Sequence, residues 1–95
     1  MTAQHTSVAL PAVLMQAQAQ AVTDELAPLL GVCVSEGGEA VLDSSALTQF
    51  DSSALAVILA CRRAVLTRGA HLRIKGLPER AKALAKVYGL SDLLR

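Results

Sequence analysis

The run Phe50-Asp51-Ser52-Ser53-Ala54-Leu55-Ala56-Val57-Ile58-Leu59 decides the fold. Its polar opening is of helix-start type: Asp51 or Ser52 can accept hydrogen bonds from the N–H groups that a first helical turn leaves unpaired. The apolar spacing that follows predicts a helix to about Arg68, ended by Gly69, with Leu55, Ile58, Leu59, Val65 and Leu66 as its buried stripe. Arg62, Arg63 and Arg68 fall toward the negative end of that helix's dipole.

Upstream, Glu39 to Asp43 holds Ala40, Val41 and Leu42 without polar alternation, as in a strand covered on both faces. Ser44 to Gln49 reads as a connection and Glu36-Gly37-Gly38 as a turn. Earlier still, Val22, Leu26, Leu29 and Leu30 share one face of a helix starting near Gln16. Pro28 either kinks that helix or ends its regular part. Ser7 to Leu14, with Val8, Leu10, Val13 and Leu14 around Pro11, reads as a strand near a sheet edge, where a missing N–H costs least. Downstream, His71-Leu72-Arg73-Ile74 alternates polar with apolar, the period of a half-covered strand. Gly76 and Pro78 then open a last helix, with Leu77, Ala81, Leu84, Ala85 and Tyr88 on one face and Gly89 as its stop. Strands alternating with helices give an α/β layer structure.

The pentapeptide Asp-Ser-Ser-Ala-Leu occurs twice, at Asp43 to Leu47 and at Asp51 to Leu55. The first copy leaves a strand, where its side chains satisfy nearby backbone groups. The second opens a helix. Its serines lie among unpaired N–H donors, so the motif reads either as a plain cap or as a place for an added phosphate or a partner's anion. Beside a phosphate, Asp51 would be repulsive, yet it could orient the Ser52 hydroxyl.

Ala40-Val41-Leu42-Asp43 followed by Phe50 to Leu59 resembles the STAS family of anti-sigma-factor antagonists and transporter regulatory domains. The family pattern is a strand ending in Asp, a short crossing, and Asp-Ser/Thr-Ser/Gly-Gly-Leu opening a helix. The resemblance places Ser52 at the phosphoacceptor-like, regulatory position. It matches Asp43 and Asp51 to the two family aspartates and makes Asp43, Asp51, Ser53 and Ala54 supporting helix-start and partner-contact residues. Ala54 departs from the glycine common there. Gly76-Leu77-Pro78-Glu79 and Ala83 to Leu90 are similar to the STAS subunits of bacterial Mla-type phospholipid-transport complexes. The likeness covers roughly Glu39 to Leu90. It implies a small STAS-type α/β domain over residues 1–95, a short mixed β-sheet with helices packed mainly on one face, and mobile residues 1–6. It further implies a regulatory or adaptor subunit that binds the ATPase of an ABC transporter within a permease complex. The alternative it leaves is an anti-sigma-factor antagonist, paired with an anti-sigma-factor kinase and switched by phosphate on Ser52.

Composition narrows the field independently. Nine basic and eight acidic side chains leave a formal net charge of +1, too weak a field to steer the chain to nucleic acid. A mean hydropathy of +0.44 in so short a chain suggests a surface completed by a partner. The longest apolar run, Ala54 to Cys61, falls short of the roughly 20 residues a bilayer span needs, and the N-terminus lacks an export signal's basic and apolar regions. The expected location is the cytoplasm, peripheral to the inner membrane through the transporter and without direct insertion. Cys33 and Cys61 stand outside any metal-ligand spacing and read as reduced fillers. No metal and no cofactor is expected. An enzyme would need a nucleophile with a base, and only His5 and His71 offer conventional bases, neither within a motif. No glycine-rich phosphate loop is present. Arg62, Arg63, Arg68, Arg73 and Lys75 read as a solvated face and Tyr88 as closing the core edge of the last helix. Few bulky residues are available to line an internal ligand cavity.

Overall fold

The structure, a computed structural model, describes residues 5–34 and 37–91. In chain order the elements are β1 (His5–Ala9), β2 (Val13–Leu14), α1 (Gln16–Cys33), β3 (Glu39–Asp43), β4 (Gln49–Phe50), α2 (Ser52–Leu66), β5 (His71–Lys75) and α3 (Glu79–Val87). The main sheet runs β1-β3-β5, with β3 central, and β2 pairs with β4 in a separate ladder.

The α/β class and the small sheet are as expected. A mixed sheet is not what forms, because every ladder among the described residues is parallel. Each successive strand of the main sheet is reached through a helical crossover, α1 between β1 and β3 and α2 between β3 and β5, and such a crossover returns the chain in the same direction. His5 and Thr6, expected to be mobile, belong to β1, where they pair with Glu39 and Ala40; residues 1–4 lie outside the described residues. Of the turn at Glu36-Gly37-Gly38, Glu36 also lies outside them, and Gly37 has φ +78.

Strand alternation sends one set of side chains into the core. Ala40 and Leu42 join Leu26 and Leu30 of α1, Leu55, Ile58, Cys61 and Val65 of α2, and Ala81 and Ala85 of α3 in one buried cluster, with Val8, Leu72 and Ile74 packed against it. Val41 is buried too, but it lies outside that cluster, in register with the exposed Ser7 and Arg73. The helices therefore cover one face, and β3 is not covered by them on both.

Several expected core positions turn outward. Leu29 and Leu66 are exposed, whereas Val57 and Cys61 are buried. α1 continues through Pro28 to Cys33. The strand read over Ser7 to Leu14 is divided at Leu10 to Ala12, and its first half is the sheet edge. Gln49 and Phe50, read as the end of a connection and the lead into a helix, form β4.

Candidate functional site

Both pentapeptides fold the same way at their first step. Ser45 donates its backbone N–H to Asp43 Oδ1 at 3.0 Å and its Oγ–H to the same oxygen at 2.6 Å, while the Ser53 N–H donates to Asp51 Oδ1 at 2.8 Å. The aspartate thus satisfies the amide two residues on, as Asp does in turns and at helix starts. Their middle serines then diverge. The Ser44 N–H donates to the Lys75 carbonyl at 2.7 Å, which prolongs the β3–β5 ladder and leaves Ser44 fully buried. Ser52 opens α2 and is exposed. Of the two middle serines, only Ser52 is exposed; in the first copy the exposed serine is Ser45, whose hydroxyl donates to Asp43.

The helix start is fixed from a second direction. β2 and β4 pair Val13 with Gln49 and Leu14 with Phe50, and the Ala12 carbonyl accepts from the N–H groups of Thr48 (2.8 Å) and Gln49 (3.0 Å). This brings Met15, the residue before α1, alongside Asp51. Met15 has no side-chain oxygen to cap a helix. The acceptor comes from Asp51, whose Oδ2 takes the Gln16 N–H at 3.2 Å. The Met15 N–H itself is taken by Gln18 Oε1 at 3.0 Å. One carboxylate therefore satisfies orphan donors of two helices.

Both aspartates are held below the ordinary carboxylate value of 3.8. For Asp51 the chief cause is the Ser53 N–H, which favours the anion. For Asp43 it is the Ser45 hydroxyl. Asp51, Ser52, Ser53 and Ala54 are contiguous at the α2 start, but their environments differ. Ala54 is buried and Ser53 half-buried, so neither presents a contact surface comparable to that of Ser52. Asp43 lies at the end of β3, engaged with Ser45.

Two shallow grooves meet at Asp51. One is lined by Phe50, Ser52, Arg80, Leu84, Val87 and Tyr88. The other is lined by Val13, Met15, Gln16, Ala17 and Gln18. Tyr88 is 54% exposed and does not close the core edge; at the C-cap of α3 it faces the first groove, with Val87 79% exposed beside it. The Arg80 guanidinium sits 4.9 Å from the centroid of the Phe50 ring. Neither Arg80 nor the Val13–Met15 side was marked by the sequence; the only hint was apolar residues next to a two-residue strand too short to show a period.

Elsewhere the site candidates are plain. Cys61 is buried in the core, which raises its thiol pKa to about 11, and Cys33 is exposed. His71 is exposed on edge strand β5. Arg73 pairs with Glu39 at 3.8 Å across the open sheet face. Among the described residues there is no group of His, Cys, Asp and Glu able to hold a metal, and no helix is long and apolar enough to cross a membrane.

A family model described as MlaB, STAS domain, matches residues 1–95. No curated protein matches the chain. The chain belongs to the MlaB-type STAS family, whose domains are generally non-catalytic binding domains of adaptor or antagonist type.

Proposed function

We propose that this STAS chain is the regulatory subunit of a phospholipid-transport ABC complex of the Mla type, docking on the cytosolic ATPase and stabilising or activating it. The observation that carries the reading is the exposed Ser52 at the α2 start, lining one of two grooves with exposed apolar walls that meet at its neighbour Asp51. Exposed apolar side chains around a rigid polar centre suit a protein partner better than a small ligand, because shallow open grooves surround too little of a small molecule to bind it. A rigid mount also favours docking, since little order has to be imposed when the partner arrives. On this reading the chain works in the cytoplasm and reaches the inner membrane only through the transporter.

Co-expression with the host's Mla-type ATPase tests the proposal. The pair is expected to co-purify, and Ser52→Arg, which places a long cation at the exposed hydroxyl, is expected to separate them and to weaken the outer-membrane barrier. A pair that stays apart, together with an intact barrier in the Ser52→Arg strain, would sink it.

The exposure of the Ser52 hydroxyl also supports a second reading, an anti-sigma-factor antagonist switched by phosphate on that oxygen. Intact-mass measurement after incubation with the host's anti-sigma-factor kinases and ATP separates the two. A mass gain lost in Ser52→Ala favours the switch, and an unchanged mass removes it.

A further inference from the structure

Asp51 stands as the common wall of the two grooves, and its two oxygens each already accept a backbone N–H, from Ser53 and from Gln16. Its role is to hold the surface in place. The groups left to meet a partner are the Ser52 hydroxyl, the Arg80 guanidinium and the apolar side chains on either side. Val13, Met15, Val87 and Tyr88, four of the seven exposed large hydrophobic side chains among the described residues, line these two grooves. The apolar surface is thus concentrated on both sides of Asp51.

Arg80 supplies the positive charge of the first groove, and the Asp51 carboxylate that also lines it is already engaged by the Ser53 and Gln16 N–H groups. Glu79 pairs with Lys82 at 3.3 Å, but no carboxylate among the described residues pairs with Arg80, which lies over Phe50 instead. A partner pressed onto this groove removes water from the guanidinium. That costs free energy unless the partner brings an anion, whereas a basic group there is repelled. Arg and a carboxylate match in a two-point hydrogen-bonding geometry, and the Ser52 hydroxyl in the same groove can donate to the same anion.

We infer that the partner-facing surface extends across Asp51 from Tyr88 to Met15, and that it takes a segment of the ATPase carrying a carboxylate for Arg80 with apolar side chains on either side of it. This rests on the ATPase-docking reading and adds the chemistry of what docks.

Binding of the purified ATPase subunit is measured for the full chain and for Arg80→Glu, Arg80→Lys and Met15→Asp, each at low and at high salt. Arg80→Glu is expected to weaken binding by about ten-fold or more and to flatten its salt dependence, while Arg80→Lys keeps most of that dependence. Met15→Asp, on the far groove, is expected to weaken binding by about ten-fold as well. Matching thermal melts show that each exposed-site variant remains folded. If the unaltered chain binds and Arg80→Glu binds equally well with the same salt dependence, the acidic-segment inference is wrong. If Met15→Asp alone is without effect, the extension across Asp51 is wrong. If the unaltered chain does not bind at all, the docking reading itself falls, and this inference with it.

Discussion

At the start of α2 one side chain does what two would ordinarily do, and its ionisation can be followed directly. Hydrogen bonds from Ser53 and Gln16 lower the Asp51 pKa below 3.8, so the anion is favoured in the folded state. The sign follows from linkage: the contribution to stability is complete above the unfolded carboxylate value and is lost as pH falls through the lower folded value. In an acid titration followed by amide NMR, the Ser53 and Gln16 signals are therefore expected to move together with a midpoint below 3.8. Separate midpoints, or one above that value, would break the shared-cap assignment. Ser44 makes the opposite case. Its hydroxyl oxygen is buried without a hydrogen-bond partner, and removing an unsatisfied buried polar atom relieves desolvation cost. Ser44→Ala is expected to leave stability unchanged or raise it by up to about 1 kcal/mol in urea unfolding. A loss of that size would mean that the hydroxyl has a partner. The helix after the second copy of Asp-Ser-Ser-Ala-Leu was readable from the apolar spacing that follows it, whereas the burial of Ser44 was not, since it depends on the Lys75 carbonyl waiting beside the first copy.

Among the elements, those whose residues carry a period were legible in the sequence. β3 spans Glu39–Asp43 as read, β5 follows the polar–apolar alternation of its residues, and α2 begins at the polar cluster that marks it. The β2–β4 ladder was not legible, because two residues per strand cannot display alternation and their pairing is settled only by the Ala12 carbonyl far away in sequence. The outward turn of Tyr88 was missed for a related reason. α3 is short, and a residue at its C-cap no longer follows the helical face that its spacing suggests. Two glycines separate backbone need from packing. Gly76 has φ +72, and a Cβ there would stand 2.8 Å from the Ser45 Cβ, so Gly76→Ala is expected to cost about 1–3 kcal/mol. Gly31 lies inside α1, where an added Cβ would meet the Ala64 carbonyl oxygen at an ordinary 3.7 Å. Gly31→Ala should raise stability by about 0.5–1 kcal/mol through helix propensity. Thermal or denaturant unfolding of the pair checks both, and equal effects would refute the distinction.

For the molecule as a whole, the family's helix start was readable from ten residues, whereas the surface around it was assembled from β2, α1, β4, α2 and α3 and could not be read from any one of them. The two thiols report on its global stability. Cys33 is exposed and Cys61 is buried with its pKa raised to about 11, so a thiol reagent at mild alkaline pH is expected to label Cys33 promptly and Cys61 only as fast as the fold opens. Prompt labelling of both would show that the α2 core is looser than its packing indicates. The carboxylate shared between α1 and α2 also bears on the order in which the chain folds. The Gln16–Asp51 bond joins residues 35 apart, so it can close only once the intervening chain has brought the two helix starts together. Each helix can nucleate alone, but α1 gains this acceptor only after α2 has arrived. Such a bond is expected to form on the native side of the folding barrier. Asp51→Ser, which keeps a short cap for α2 but cannot reach α1, is thus expected to speed unfolding while leaving the refolding rate nearly as it was. The two helix starts would then act as a closure formed last and released first, with its timing set by a side chain that stands next to the surface a partner would grip.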